Sequence, residues 1–235
     1  MTGNEEDTPK RALAVAAHPD DTEFGCAGTA ALLSQQGWEV YYLICTNGNK
    51  GSDDPEMTPD MLAPIRKEEQ RAAAKVVGVK DVFFLDYEDG ELAYSRELLG
   101  KVVWHIRKLR PNTVFTHDPE SIIIRDSFIN HSDHRVAGLV TIDAVYPAAR
   151  DRWNFPEHID QGLQTHKVGE LCIWSFDKAN HSVDITDTLE LKLQALSQHK
   201  SQFGENPDLI RYVRERWKNE EGRHVEQFRR IVMLR

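Results

Sequence analysis

The sequence predicts a single α/β domain in which a mostly parallel sheet is covered by helices on both faces. Three observations predict this class. Short apolar runs alternate with amphipathic ones through most of the chain. The length, 235 residues, is usual for one domain. Neither an internal repeat nor a linker rich in Gly, Ser or Pro divides the chain.

The predicted strands are short apolar runs, and the first two are continuous, as is typical of strands buried on both faces. The first four span 13–17, 39–46, 82–85 and 113–116, and later ones span 168–174, 182–185 and 227–233. Helices are predicted over 25–37, 60–77, 98–109, 131–146, 187–201 and 207–218. Because the first half alternates strand and helix, its strands are joined by crossovers and lie parallel.

Composition and charge exclude several classes of protein. Hydrophobic residues make up 40% of the chain and charged residues 29%, which is typical of a soluble globular protein. No run approaches the roughly 18 to 20 apolar residues that a membrane-spanning helix needs, so no membrane partner is expected. The formal net charge is −9 and no basic cluster is present, which argues against a nucleic-acid partner.

The ends and the cysteines indicate the cellular setting. Residues 1–10 are polar and lack the apolar core of a signal peptide, so we expect a disordered lead-in followed by one domain over 11–235. The three cysteines are widely spaced and form no C-x-x-C pair. This pattern favours a reducing, cytoplasmic location over a disulfide framework.

The loop after the first strand, residues 18–23, has an unusual composition. It reads His-Pro-Asp-Asp-Thr-Glu and so places one imidazole and three carboxylates within six residues. Asp and Thr are common helix N-caps, and acidic residues suit the start of a helix. One cap, however, does not require a histidine and two adjacent aspartates. Ligand sites of parallel sheets lie at the carboxyl ends of the strands, where this loop is expected.

A second polar segment follows the fourth strand. His131 and His134 stand at the opening of a predicted helix, one turn apart and nearly on one face. Such a pair alone is weak evidence, since helices often carry surface histidines. Both segments are expected at the same sheet edge, however, and can converge there. Together they offer two imidazoles and a carboxylate, the ligand set of a catalytic zinc that keeps positions open for water.

At these two segments the chain resembles the LmbE/PIG-L family of zinc-dependent N-deacetylases. Residues 17–23 follow the family's A-H-P-D-D-x-E signature, and residues 131–134 follow its H-x-D-H signature. Further similar stretches are 25–29, Arg66-x-x-Glu69, 89–92, 184–186 and 192–202. The resemblance runs from about 12 to 203. It implies a Rossmann-like, three-layer αβα fold.

The resemblance also implies a metal site and a base. His18, Asp21 and His134 would bind one zinc ion per chain, with another divalent metal as the alternative. Zinc lowers the pKa of its water to about 7, so that hydroxide is available at neutral pH. Asp20 would be the general base that activates this water.

Five further residues have candidate roles. By the resemblance, His131 would stabilise the oxyanion or protonate the leaving amine, and Asp133 would orient it. Arg66 is a candidate clamp for a substrate hydroxyl or carboxylate, against a solvated arginine at a helix start. Asp89 is a candidate partner for sugar hydroxyls. Asn47 lies in a turn-forming loop that is expected to face the site.

The predicted function is zinc-dependent removal of an acetyl group from a small N-acetylglucosamine-type substrate. One alternative is an amidase acting on another small amide, such as a thiol conjugate or an antibiotic precursor. Another is an inactive sugar-binding relative, although the intact Asp20, Asp21, His131 and His134 argue against it. A nicotinamide-binding enzyme is excluded, because the first loop lacks G-x-G-x-x-G and carries acids where pyrophosphate would lie.

The stretch 120–126 is too apolar for a free surface loop. We expect it to cover the site or to pack against another subunit, so a homo-oligomer is left open.

Overall fold

The structure, a computed structural model, describes residues 9–126, 128–174, 178–204 and 206–234. Its strands are β1 (Arg11–Ala16), β2 (Glu39–Thr46), β3 (Asp81–Tyr87), β4 (Thr113–His117), β5 (Ile123–Ile124), β6 (Phe128–Ile129), β7 (Glu170–Trp174), β8 (His181–Asp184) and β9 (Val225–Val232). Its α-helices are α1 (Asp21–Gly25), α2 (Ala27–Gln35), α3 (Pro59–Val76), α4 (Arg96–Leu109), α5 (Ser132–Asp143), α6 (Pro156–Asp160), α7 (Leu189–Leu196), α8 (Lys200–Phe203) and α9 (Pro207–Arg216).

Within these ranges the main sheet has seven strands in the order β3-β2-β1-β4-β7-β9-β8. Strands β3, β2, β1, β4 and β7 pair in parallel, whereas β9 is antiparallel to both β7 and β8. Strands β5 and β6 form a separate antiparallel hairpin. The predicted mostly parallel sheet is therefore confirmed, with β9 and β8 added at one edge through antiparallel pairing.

Two helix layers cover the sheet because side chains alternate between the faces of a strand. On β1, Ala12 and Ala14 pack towards α2 and α3, whereas Leu13 and Val15 pack towards α4 and α5. All four are buried. The small alanines let the α2 layer lie close to the sheet. This arrangement confirms the predicted three-layer α/β fold.

Some element boundaries differ from those predicted. The predicted helix 25–37 is two helices separated by Cys26, and the first of them already begins within the acidic loop. The predicted helix 187–201 is a 3₁₀ turn followed by α7, and α8 begins only at Lys200. At the second break His199 is fully buried and contacts Glu23 instead of facing solvent.

The structure also bears on the predictions for the apolar stretch, the cysteines, membrane-spanning helices and the N-terminal residues. The apolar stretch 120–126 contributes β5, and Ile122, Ile123, Phe128 and Ile129 on this hairpin are each more than half exposed. The three cysteines are unpaired and buried. Within the described ranges, none of the helices is both long and apolar enough to cross a bilayer. Residues 1–8 of the predicted lead-in lie outside the described residues.

Candidate metal and catalytic site

The polar loops meet at the carboxyl edge of the sheet, as predicted. After β1 the chain turns sharply at Asp20, which has a left-handed backbone with φ of 101°, and enters α1. The turn lets the backbone N–H of His18 donate to Asp21 Oδ2 at 2.7 Å. From the neighbouring strand β4 the chain passes through the hairpin to α5, where His131 is the N-cap. The two histidine-bearing segments therefore follow the adjacent strands β1 and β4.

The structure brings His18, Asp21 and His134 together. Their ligand atoms all lie within 4.8 Å of one another. His18 Nδ1 is 3.3 Å from Asp21 Oδ2, and His134 Nε2 is 3.1 Å from Asp21 Oδ1. His18 Nδ1 and His134 Nε2 are 3.2 Å apart. Two imidazole nitrogens and a carboxylate therefore converge on one small volume.

The hydrogen bonds behind His134 show that this volume suits a cation. Asn130 donates through its amide nitrogen to Ser121 O at 2.8 Å, which leaves its oxygen 3.1 Å from His134 Nδ1. Nδ1 then carries the proton and Nε2 presents a lone pair. That lone pair faces a carboxylate oxygen of Asp21 at 3.1 Å. Such a contact is favourable when positive charge lies between the two atoms, either a proton on Nε2 or a metal ion. The convergence of His18, Asp21 and His134 on one volume fits a divalent metal.

His18 has carboxylates on its other side as well. Its Nε2 is 3.0 Å from Asp89 Oδ1 and 3.3 Å from Asp133 Oδ2. Burial would lower the pKa of His18, but hydrogen bonds to Asp133, Asp21 and Asp89 outweigh it and raise the pKa well above its ordinary value. His18, His131 and Asp133 form a second group whose ligand atoms lie close enough to hold an ion. The negative charge of the site is thus concentrated around one imidazole.

Asp21 and Asp20 are adjacent in sequence but differ in environment. Burial would raise the pKa of Asp21, but His134 and His117 reverse the effect and hold it well below its ordinary value. For Asp20, burial prevails over the nearby Arg66 guanidinium and raises the pKa to about 6. Among the described residues, neither candidate metal group includes Asp20. Asp20 is therefore placed beside the metal group and outside it.

His131 is partly open to solvent, with its side chain 42% exposed. Its Nδ1 accepts the backbone N–H of Asp133 at 3.1 Å, so the neutral ring carries its proton on Nε2. Burial and the nearby His18 lower the pKa of His131. The Asp133 carboxylate is 3.9 Å from His131 Nδ1 but 3.3 Å from His18 Nε2. Asp133 therefore also contacts the predicted metal ligand.

Arg66 is buried beneath the first loop instead of being solvated. It donates to Gly48 O at 2.8 Å, to Pro19 O at 2.6 Å and to Asp20 Oδ2 at 3.0 Å. Gly48 has φ of +65°, and a Cβ there would lie 2.6 Å from Arg66 Nη1. The turn after β2 therefore requires glycine in order to seat the guanidinium.

The other two predicted substrate residues lie on neighbouring loops. Asp89 is buried and contacts His18, as described above. Asn47 is half-buried; its amide nitrogen is 3.4 Å from Glu88 Oε1, and its oxygen accepts the N–H of Asn49 at 3.1 Å. Asp89 thus borders the metal group directly, whereas Asn47 stabilises the loop beside it.

Sequence reasoning assigned no role to His117, which belongs to the site. It ends β4 in register with Trp174, whose indole N–H donates to His117 Nδ1 at 3.1 Å. The opposite nitrogen, Nε2, is 3.3 Å from Asp21 Oδ2. Burial lowers the pKa of His117 to about 4. The sequence could have indicated this role, because His117 is the last residue of a strand that lies beside the first loop.

Comparisons with known proteins identify the family of this chain. Residues 13–145 match the family model described as PIG-L, GlcNAc-PI de-N-acetylase. A curated relative, diacetylchitobiose deacetylase of Thermococcus kodakarensis, is 38% identical over 84% of this chain and 72% of its own length. A probable N-acetyl-α-D-glucosaminyl L-malate deacetylase 2 of Bacillus cereus is 26% identical over 82% of this chain and 84% of its own.

A solved structure is also similar. N,N'-diacetylchitobiose deacetylase from Pyrococcus horikoshii, complexed with an inhibitor, superposes with a TM-score of 0.86 at 33% identity. The match covers 97% of this chain and 85% of that one. The α/β fold and these relatives define the class as that of deacetylases. The chain belongs to the PIG-L family of deacetylases.

Proposed function

We propose that this protein is a zinc-dependent N-deacetylase acting on a small N-acetylglucosamine-type amide. One observation carries the proposal: His134 Nε2, with its proton held on the other nitrogen, faces Asp21 Oδ1 at 3.1 Å beside His18. This set fits one divalent cation per chain and leaves ligand positions open, as a hydrolytic metal requires. When bound, the metal polarises the acetamide carbonyl and lowers the pKa of a water.

Asp20 is proposed as the general base. Its carboxylate lies next to the metal group without belonging to it, and Arg66 fixes one of its oxygens. In this role Asp20 accepts a proton from the attacking water as the new C–O bond forms. General-base catalysis by a positioned carboxylate typically contributes about 10²–10⁴ in rate.

His131 is proposed to act on the opposite side of the acetamide. Because its neutral ring carries the proton on Nε2, it can donate a hydrogen bond to the developing oxyanion. Protonation of the leaving amine instead requires the imidazolium form, which gives up one proton and returns to the neutral ring. Asp133 is proposed to hold this end of the site, since its backbone N–H fixes His131 and its carboxylate contacts His18.

The substrate assignment is supported by the relatives and by the loops at the site. Two of the curated relatives are named for N-acetylated glucosamine compounds. Asp89 at the rim of the metal group and Asn47 in the neighbouring turn are proposed to bind sugar hydroxyls. Arg66, buried on α3, is proposed to support this side of the site by holding Asp20. The buried, unpaired cysteines support a reducing, cytoplasmic location as part of the same proposal.

The direct test measures acetate released by the purified protein, supplied with zinc, from a panel of substrates. The panel contains N-acetylglucosamine, a simple glycoside of it, diacetylchitobiose and a longer chitin oligomer. We expect the highest kcat/KM for the mono- or disaccharide. No acetate from any of them would contradict the deacetylase assignment, and a preference rising with oligomer length would contradict the small substrate.

The variant Asp20→Asn tests the proposed role of Asp20 as the general base. We expect it to retain the metal and to lose about 10²-fold or more in kcat, the range of general-base catalysis. Near wild-type turnover would exclude Asp20 as the base, and loss of metal would make it a ligand instead.

A further inference from the structure

The peptide group between Pro19 and Asp20 is held at both of its polar atoms by one helix. Arg66 donates to the carbonyl oxygen of Pro19 at 2.6 Å. Gln70 Oε1 accepts the N–H of Asp20 at 2.8 Å. Arg66 and Gln70 are four residues apart on α3 and so lie on one face, one turn apart. This face of α3 fixes the orientation of a single peptide plane.

That peptide needs to be fixed because of the backbone at Asp20. Its φ of 101° is unfavourable for a residue with a Cβ, and such conformations persist when the surroundings hold them. A peptide flip at this point would redirect the Asp20 side chain. The hydrogen bonds to Arg66 and Gln70 oppose such a flip, because both would be broken by it.

Gln70 is itself held by a buried ion pair. Its amide nitrogen is 3.1 Å from both carboxylate oxygens of Glu23, so the amide oxygen is left for Asp20. On its other side, Glu23 Oε2 is 3.1 Å from His199 Nε2. Gln70, Glu23 and His199 are all fully buried. The ion pair therefore sets the direction of the Gln70 amide.

The chain of contacts closes on α3. Glu69 accepts the backbone N–H of Ser201 at 2.7 Å and its hydroxyl at 2.6 Å. These bonds hold the segment that carries His199 against the helix that carries Gln70. Two sequence motifs without a catalytic role, Arg66-x-x-Glu69 and His199-x-Ser201, thus belong to one structure around Asp20.

We propose that Gln70 is a positioning residue for the base Asp20, oriented by the Glu23–His199 pair. The inference rests on the proposed function in taking Asp20 as the base. Among the described residues, neither Glu23 nor His199 belongs to a candidate metal group, and Gln70 contacts Asp20 through its backbone N–H. Loss of Gln70 should therefore reduce kcat while leaving KM and zinc affinity nearly unchanged.

The experiment compares Gln70→Leu with the exchange Glu23→Gln/Gln70→Glu. The exchange keeps the net charge, an acceptor for the Asp20 N–H and a donor–acceptor pair between the two side chains. We expect Gln70→Leu to lose about 10-fold or more in kcat, since small misplacements of catalytic groups are costly. We expect the exchange to recover most of that loss. Thr188→Val is the matched control, because it removes a buried hydrogen bond, to Gly28 O at 2.8 Å, that involves none of the residues that hold Asp20.

Three outcomes would overturn the inference. They are wild-type kcat in Gln70→Leu, a loss that appears in zinc affinity instead of kcat, and an equal loss in Thr188→Val. Asp20→Asn, measured alongside, separates the two proposals: if it retains turnover the base assignment fails, and if it alone loses turnover only the positioning role fails. Should Gln70→Leu not fold, amide hydrogen exchange at Asp20 in the wild-type protein decides, since rapid exchange would contradict a held peptide.

Discussion

Two buried clusters of charge in this molecule differ in how their polar atoms are paired. Behind α2, Lys192 and Glu226 are both completely buried and 2.6 Å apart. Lys192 also donates to Phe24 O, and Glu226 accepts the backbone N–H groups of Gly28 and Thr29 at the start of α2. Each charge has an opposite partner and hydrogen bonds. This cluster is complete without any ligand.

The cluster at the sheet edge has a different balance. Three carboxylates, those of Asp21, Asp89 and Asp133, surround His18, and the lone pair of His134 faces one of them. Its acceptors exceed its donors. Burying charge is costly in both places, but only the second cluster is proposed to bind a cation, which would offset part of this cost. Both clusters bury charge. What distinguishes the cluster around His18 from the Lys192–Glu226 pair is its excess of hydrogen-bond acceptors.

The largest expected effect follows from replacing a metal ligand. His18→Ala and His134→Ala should each reduce bound zinc from one per chain to a small fraction. Each should lower turnover by about 10³-fold or more, because the metal supplies several kcal/mol of transition-state stabilisation. Metal analysis and acetate release measure this. Lys192→Met is the control, and its folded fraction should keep the metal. Equal metal content in all variants would contradict the proposal that His18 and His134 are metal ligands.

The structural pair should show the opposite behaviour. Lys192→Met leaves Glu226 buried and unpaired, so the free energy of unfolding should fall by about 3–5 kcal/mol. Denaturant unfolding of the metal-free proteins measures this. The double variant Lys192→Met/Glu226→Gln should recover much of the loss because no unpaired charge remains. A single variant as stable as wild type would show that this pair is not structurally required.

The Glu23–His199 pair should give a smaller, pH-dependent effect. Burial would lower the pKa of His199, but Glu23 outweighs burial and raises it. A raised pKa stabilises the fold below the unfolded value of about 6.5, and that stability is lost as pH rises through the folded pKa. The loss is at most about 1.4 kcal/mol per pH unit for one proton.

His199→Gln keeps a donor for Glu23 without titrating. The difference in unfolding free energy between wild type and variant should therefore shrink as pH rises above about 6.5. Urea titrations at several pH values measure it. A difference that is independent of pH would mean that His199 does not change its protonation on unfolding.

The smallest effect is expected for an exposed pair. Arg214 contacts Glu190 at 2.6 Å near the surface. Replacing Arg214 by Gln should change the unfolding free energy by about 0.2–1 kcal/mol, the range for solvent-exposed pairs. The same denaturant assay provides the baseline for the buried pairs, and a loss as large as that of Lys192→Met would contradict the ranking by burial.

The fold was largely predictable because its central strands carry continuous apolar runs. The antiparallel edge was less so: β8 reads His-Ser-Val-Asp and has no apolar pattern of its own. It pairs with β9, whose register depends on distant residues. Local pattern also could not show the break at Cys26, since polar residues of α1 are buried by contacts with α3 and with His199, which precedes α8.

The convergence of the two signature segments followed from the topology, since β1 and β4 are neighbours in the sheet. The residues behind them were harder to find. Gln70 lies four residues after Arg66, so the spacing was visible, but a glutamine on a helix is usually solvated. Its role depends on Glu23 and His199, which are separated by 176 positions in the chain. Only the folded chain places them together.

The three buried thiols have a practical consequence. Burial raises the pKa of Cys45 and of Cys172 to about 12, and raises that of Cys26 well above its ordinary value. At pH 8 a thiol of pKa 12 is ionised in roughly one molecule in ten thousand, so alkylating reagents meet almost no thiolate in the folded state. The three sites lie between two helices, within β2 and at the junction of the parallel and antiparallel strands. Cys45 belongs to one core layer, and Cys26 and Cys172 belong to the other, so labelling rates at the thiols would report the opening of the two layers without any added probe.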